Sequence, residues 1–225
     1  MNMSDSVNVI FLSDHGMTNT HCKNIKFMDE YEVKPSSVKK SVSGAVLAFR
    51  TKNPDDREEV FNKIKCVDET FHSFYKEDLP KRMHFSNSKR IDDIIVLAEL
   101  GRLVAIDSEE VVDRCSLGTH GYDPIIPDMW TIFMARGPSF LKNKVVDHFS
   151  NVEVYNLLSA LLKIKPAPNN GTLGSLNKLL LPNAKSTPST SQSDGTVFRQ
   201  DICQFRRIIL LKIRAVRSFN WMWTC

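Results

Sequence analysis

The sequence predicts an α/β chain of 225 residues, in which a sheet is flanked by helices. Residues 7–12 form an almost continuous apolar run, the pattern of a strand buried on both faces of a parallel sheet. Other apolar runs typical of strands occur at residues 44–49, 91–98, 103–106 and 130–135. The two runs on either side of Gly101 suggest a meander or hairpin.

Two segments carry helix signals. Asn53 is a cap residue followed by Pro54, which suits the first helical position, and this predicts a helix over residues 54–65. Ser150-Asn151-Val152-Glu153 has the pattern of a capping box, and the apolar residues after it recur at helical spacing. A second helix is therefore expected over residues 151–163.

The composition changes along the chain. Residues 1–181 are expected to be the ordered domain, residues 182–197 a flexible linker rich in Ser, Thr and Pro, and residues 198–225 a basic tail. Six basic residues and one acidic residue in the last 30 account for more than the net charge of +4. The remaining body is near neutral, so its charge favours no nucleic-acid partner. The tail is either a basic amphipathic helix that contacts an anionic membrane or a partner, or a segment without a role.

The five cysteines are widely spaced and form no CxxC pair, so the sequence does not support a zinc knuckle and leaves disulfide pairing open. No basic segment followed by an apolar one occurs at the start, and no apolar stretch reaches the roughly 18 residues of a membrane span. Glycosylation triplets begin at Asn2 and Asn170. We therefore expect neither a signal peptide nor a transmembrane helix in this chain, and the triplets are consistent with a secreted glycoprotein.

Candidate metal ligands follow the first predicted strand. Asp14 and His15 are an oxygen and a nitrogen donor on consecutive residues, and Gly16 lets the backbone turn away sharply. His120 lies in a second glycine-flanked turn, Gly118-Thr119-His120-Gly121. Taken alone, an Asp-His pair after a strand is more often a cap and a surface histidine than a pair of metal ligands. The two motifs together favour a site for a borderline ion such as Zn²⁺.

Seven blocks of the sequence occur in the following order: Ser13–Thr18, Leu79–His84, Arg90–Ile94, Gly118–Asp123, Ala135–Phe140, Asn151–Asn156 and Pro166–Thr172. In this order they resemble the ectonucleotide pyrophosphatase/phosphodiesterase family over about residues 5–181. That family belongs to the alkaline-phosphatase-like superfamily. The resemblance implies an α/β fold whose sheet carries two zinc ions at the carboxyl ends of its strands, here incomplete because the amino-terminal half of the catalytic domain is absent.

The resemblance also implies an activity, namely two-zinc hydrolysis of phosphodiester or pyrophosphate bonds through a threonine nucleophile. Asp14 and His15 match two ligands of the zinc beside the nucleophile, and His120 matches one ligand of the other zinc. Tyr122 and Asp123 adjoin His120 and are expected to orient it as hydrogen-bonding partners. The chain thus supplies three of six family ligands.

No residue of the chain matches the attacking threonine. Thr18 belongs to the Asp-His-Gly-Met-Thr motif, and its family counterpart does not attack phosphorus. We therefore expect the chain to be inactive alone; the alternative is a non-catalytic truncated product, at most a weak metal-binding or interaction module. For the complete enzyme, the resemblance implies nucleotide, phosphodiester or lysophospholipid-type substrates and an extracellular or membrane-associated location.

Overall fold

The structure is a computed structural model that describes residues 6–110 and 117–185. The described residues divide into two compact units, a larger one within Phe11–Met134 and a smaller one within Met1–Ile10 and Ala135–Cys225. The described residues form ten strands and two α-helices. Their bounds are β1 Val9–Leu12, β2 Thr18–Asn19, β3 Ile25–Phe27, β4 Val38–Val42, β5 Val46–Thr51, α1 Arg57–Ile64, β6 Phe71–Tyr75, β7 Ile94–Ala98, β8 Leu103–Ala105, β9 Gly118–Thr119, β10 Phe133–Arg136 and α2 Glu153–Leu162.

The α/β class is confirmed, with small sheets and few helices. The largest sheet lies in the larger unit, has the strand order β4-β5-β7-β6 and is antiparallel throughout. Alternate residues of β5 face opposite sides, so Leu47 and Phe49 join one buried cluster while Ala48 joins another. α1 buries Val60, Phe61 and Ile64 in the first of these clusters. The helix therefore covers one face of the sheet.

The start of the first helix follows the sequence prediction. The Asn53 side chain accepts a hydrogen bond from the Asp55 amide at 3.3 Å, and Pro54–Asp56 form a 3₁₀ turn that leads into α1. The helix ends at Ile64, one residue before the predicted end. Because capping and proline geometry are local effects, they can be recognised without tertiary information.

The predicted pairing of residues 91–98 with residues 103–106 is wrong. β7 lies between β5 and β6, whereas β8 pairs in parallel with β3, with Val104 opposite Lys26. Gly101 has φ +79° and turns the chain between β7 and β8. Strand partners over such distances are chosen by packing, which a local hairpin pattern does not report.

The prediction of a first strand buried on both faces is also wrong. β1 is short and pairs with β10, and three of its four side chains are exposed: Val9 and Phe11 at 58% and Leu12 at 46%. The apolar run predicted the strand correctly but not its environment. Strand propensity depends on residue type, whereas burial depends on what packs against the strand.

In the smaller unit, α2 lies within the predicted helix and is shorter at both ends, and the capping box does not form. The cap position is Val152, and the Glu153 carboxylate instead accepts hydrogen bonds from the Thr172 amide at 2.9 Å and the Ser175 hydroxyl at 2.5 Å. The helix ends at Leu162, and the residue that follows it, Lys163, has φ +55°. Glu153 thus fastens the loop that follows α2 rather than the start of the helix.

Residues 186–225, which include the basic tail and most of the predicted linker, lie outside the described residues, so the predicted domain boundaries stay predictions. Pro182–Ala184 form a single 3₁₀ turn. Within the described residues no helix is long and apolar enough to span a membrane. Cys22 is disulfide-bonded, and Cys66 is a free, exposed thiol.

Candidate metal centre

Two short strands bring the predicted ligand turns together. β2 pairs antiparallel with β9, so that Thr18 lies opposite Thr119 and Asn19 opposite Gly118. His120 directly follows β9, and the Asp14-His15-Gly16 turn lies just before β2. The two motifs therefore meet through a ladder of two residue pairs. Thr18, considered above as a nucleophile, is one of the ladder residues.

Gly16 is required by the path of the backbone. Its amide donates to the Met129 carbonyl oxygen at 3.0 Å, and a Cβ at this position would lie 1.9 Å from the Asp128 carbonyl oxygen. No side chain fits in that space without moving the backbone. The glycine thus lets the Asp14-His15 turn pack against the segment before β10.

Asp14 and His15 have the spacing of two donors to one ion. Asp14 Oδ2 and His15 Nε2 lie 3.5 Å apart, and His15 Nδ1 lies 2.7 Å from the Gly16 carbonyl oxygen. A carbonyl acceptor at Nδ1 favours the tautomer with its proton there, which leaves the Nε2 lone pair for a metal. Two ligands of a tetrahedral zinc, each bonded at about 2.0–2.1 Å, lie about 3.3 Å apart. The donor pair therefore fits this chemistry.

The His15 and His120 rings are stacked. Their centroids lie 3.7 Å apart with an interplanar angle of 20°. Burial lowers the pKa of His120 and the neighbouring His15 lowers it further, while Asp14 opposes the shift. A lowered pKa keeps His120 neutral near pH 7, and the neutral imidazole is the form that can bind a metal.

The three candidate ligands do not form a single closed cage. Among the described residues, no group of three or more His, Cys, Asp or Glu side chains has the arrangement of a metal site. Because imidazole lone pairs lie in the ring plane, two stacked rings direct them along separate lines. The stack therefore does not by itself bring the three donors to one ion.

The two residues expected to orient His120 have partners of their own. The Tyr122 side chain is buried, and its hydroxyl donates to the Arg102 carbonyl oxygen at 2.7 Å. Burial raises the pKa of Tyr122 to about 12. Asp123 receives a two-pronged hydrogen bond from the Arg82 guanidinium, which holds the pKa of Asp123 below its usual value. The orientation of His120 by Tyr122 and Asp123 stays a prediction.

The sequence did not reveal Arg82 as part of this region. It lies in a 3₁₀ turn, Lys81–Met83, far along the chain from both ligand turns. The sequence places Arg82 in the Leu79–His84 block, but the block does not show which residue Arg82 contacts. Only the tertiary structure pairs Arg82 with Asp123.

The fold and this site define the class of protein, a mixed α/β chain that gathers one carboxylate and two imidazoles at neighbouring glycine turns. The family model for type I phosphodiesterase / nucleotide pyrophosphatase matches residues 1–123. The chain therefore belongs to the type I phosphodiesterase / nucleotide pyrophosphatase family, as the sequence blocks had indicated.

Individual relatives support the same family assignment. The chain is 39% identical over 201 residues to a venom phosphodiesterase of Naja atra, a match that covers 85% of the chain and 24% of that protein. It is 41% identical over 188 residues to ectonucleotide pyrophosphatase/phosphodiesterase family member 3 of Bos taurus, covering 80% of the chain and 21% of that protein. The chain thus spans between a fifth and a quarter of these relatives.

Solved structures support the same fold. Murine ectonucleotide pyrophosphatase/phosphodiesterase 5 matches with a TM-score of 0.73 and 29% identity, over 79% of this chain and 46% of that one. The human protein of the same name matches with 30% identity and the same coverage. An inactive variant of the murine protein, in complex with AMP, matches equally well.

Proposed function

We propose that this chain provides one side of a two-zinc centre for hydrolysis of phosphodiester or pyrophosphate bonds. Asp14 and His15 would hold one zinc ion, and His120 would hold the other. The observation that supports this assignment is the geometry of the turn pair: a donor separation of 3.5 Å within the first turn and stacked rings 3.7 Å apart between the two turns. Bound zinc would neutralise charge on phosphoryl oxygens and lower the pKa of an attacking hydroxyl.

In this scheme the chain's own residues hold the candidate zinc ligands in place and orient their donor atoms. The Gly16 carbonyl oxygen accepts from His15 Nδ1 and thereby keeps Nε2 available, while burial of His120 keeps its imidazole neutral. Gly16 itself keeps the first turn packed against the segment at Asp128. The contribution of these 225 residues is therefore a pre-shaped set of donors at the edge of a larger centre.

We propose further that the chain alone does not turn over substrate. Three donors are half of the six that the family resemblance implies, and none of the 225 residues matches the attacking threonine. Zinc held by one or two protein ligands binds weakly, because each missing ligand removes part of the coordination energy. An activated nucleophile is a separate requirement for covalent catalysis.

The names of the relatives support nucleotide-type substrates and an extracellular or membrane-associated location. They include nucleotide pyrophosphatases, venom enzymes and a structure in complex with AMP. The disulfide at Cys22 and the exposed glycosylation triplet at Asn170 are consistent with an oxidising, secretory route. Lysophospholipid-type substrates and membrane contact by the basic tail stay predictions.

The test uses the purified 225-residue chain. Zinc would be titrated while histidine ring-proton signals are followed, and hydrolysis of bis(p-nitrophenyl) phosphate would be measured in parallel. We expect no turnover and weak zinc binding, which is reduced in Asp14→Ala and in His120→Ala because each variant removes a donor to one of the two ions. His72→Ala is the matched control, because His72 is an exposed histidine that pairs with Glu99.

Each outcome of this test supports or overturns a stated part of the proposal. Wild-type turnover that disappears in Asp14→Ala would support the metal assignment and overturn the proposed inactivity. Zinc binding that is unaffected by all the variants, or no binding at all, would overturn the metal assignment and favour the non-catalytic alternative. Equal losses in the control and in the two ligand variants would show that the titration reports a nonspecific site.

A further inference from the structure

We propose that Arg82 is a positioning residue for His120, acting through Asp123. This inference rests on the proposed metal role of His120. Arg82 Nη1 donates to Asp123 Oδ1 at 2.6 Å, and Nη2 donates to Oδ2. Asp123 is three residues after His120 in the same turn, so a contact that fixes Asp123 bears directly on the ligand.

The turn that carries His120 is held on both sides. Before His120, Thr119 pairs with Thr18 in the short β2–β9 ladder. After it, Gly121 has φ +101°, a conformation that glycine adopts at little cost and that by itself fixes no ring direction. Besides the stack on His15, the anchors of the residues beyond Gly121 therefore contribute to the orientation of His120.

Asp123 is the point at which several of those anchors meet. Besides the two bonds from Arg82, Oδ1 accepts from the Ile125 amide at 3.0 Å, and the Asp123 carbonyl oxygen accepts from the Ile126 amide at 3.0 Å. The carboxylate thus closes its own turn on one side and binds a guanidinium on the other. Without Arg82, the hydrogen bonds that close the turn would remain, but the turn would lose its link to the Lys81–Met83 segment.

Arg82 is itself well anchored. The segment that carries it begins at Leu79, which is buried with Ala48 and Ile95 on the second face of the four-stranded sheet, and Met83 packs against the same cluster. The Met83 amide donates to the Pro80 carbonyl oxygen at 2.9 Å, closing the turn. Arg82 therefore links the His120 turn to a segment that packs on the four-stranded sheet.

The Arg82–Asp123 ion pair restricts the direction of the two side chains more than it stabilises the fold. The side chains of Arg82 and Asp123 are 47% and 25% exposed, and ion pairs this open contribute little to folding. A planar guanidinium that engages both carboxylate oxygens nevertheless restricts direction, which an ammonium group cannot do. Arg82 should thus affect the ligand more strongly than it affects the melting temperature.

The test compares Arg82→Ala and Arg82→Lys in the 225-residue chain, by two readouts. The first is the His15 and His120 ring-proton shifts without metal, which report the stack. The second is the zinc Kd from titration of the same signals. We expect Arg82→Ala to shift both histidine signals and raise the zinc Kd about 10-fold or more, as loss of a ligand-orienting partner does. Arg82→Lys should not restore either readout, and Tm should change little.

Arg57→Ala is the matched control, because Arg57 also binds a carboxylate with two bonds, to Glu77 at 2.7 and 2.8 Å. Unchanged histidine signals and zinc Kd in Arg82→Ala would overturn the inference. Equal effects in Arg57→Ala would overturn it too, by showing general destabilisation. If wild-type chain binds no zinc, the proposed function fails, and the metal-free histidine shifts still decide whether Arg82 positions His120.

Discussion

The His15 and His120 rings are stacked at 3.7 Å, although the two residues are far apart in the sequence. The contact joins the two glycine turns that each carry a candidate ligand. Because stacking and metal binding use different parts of an imidazole, the face and the in-plane nitrogen, they can be separated by substitution.

His120→Phe keeps an aromatic face but removes the nitrogen donor, whereas His120→Ala removes both. We expect binding of the zinc ion that His120 would hold to be lost in both variants, while Asp14 and His15 keep their donors. The metal-free His15 ring protons should keep the upfield displacement of a stacked ring in His120→Phe and lose it in His120→Ala. Proton NMR with a zinc titration checks both points. A wild-type zinc Kd in His120→Phe would show that His120 is not a ligand.

Gly16→Ala should disrupt the ligand turn. The added Cβ would lie 1.9 Å from the Asp128 carbonyl oxygen, so the backbone must move at a cost of about 1–3 kcal/mol. Urea unfolding measures the loss of stability, and the His15 ring signals report the displaced turn. Gly118→Ala is the matched control, since its Cβ would meet the Thr18 carbonyl oxygen at an ordinary 3.4 Å. Equal stability of the two variants would contradict the close packing at Gly16.

Asp68 should make the stability of the chain depend on acid pH. Burial alone would raise its pKa, but hydrogen bonds from Lys26, Thr70 and Tyr31 outweigh burial and hold the pKa well below the ordinary 3.8. The unfolded state therefore binds a proton more readily than the folded state. This stabilisation is fully present above the unfolded value and is lost as pH falls below it.

The measurement is the free energy of unfolding of wild type and Asp68→Asn between pH 7 and pH 2. Wild type should be more stable at pH 7, and the difference between the two proteins should shrink below about pH 4. Glu59→Gln is a control, because Glu59 is an exposed carboxylate paired only with a lysine on its own helix among the contacts described. A constant difference across the range would show that Asp68 does not titrate with a lowered pKa.

Phe11→Thr should reduce aggregation with little loss of stability. Phe11 is 58% exposed in β1, beside the exposed Val9 and Leu12, and a strand with such an apolar surface can pair with other chains. Threonine retains strand propensity, so the free energy of unfolding should change by less than about 0.5 kcal/mol. Light scattering at rising protein concentration measures the aggregation.

Phe49→Thr is the contrasting control for that experiment. Phe49 is fully buried in β5, and loss of its ring should cost about 3 kcal/mol or more and increase aggregation by unfolding the chain. If Phe11→Thr destabilises as strongly as Phe49→Thr, then Phe11 is covered in solution.

The sequence alone determined the α/β class, the helix that starts at Asn53-Pro54 and the family, because local capping, apolar runs and ordered motifs are written in consecutive residues. It also named Asp14, His15 and His120 as candidate ligands. Only the tertiary structure decided that β8 pairs with β3, that β1 is exposed and that Arg82 hydrogen-bonds to Asp123. Those features depend on which distant segments pack together, and packing energy is shared among residues that no local pattern connects.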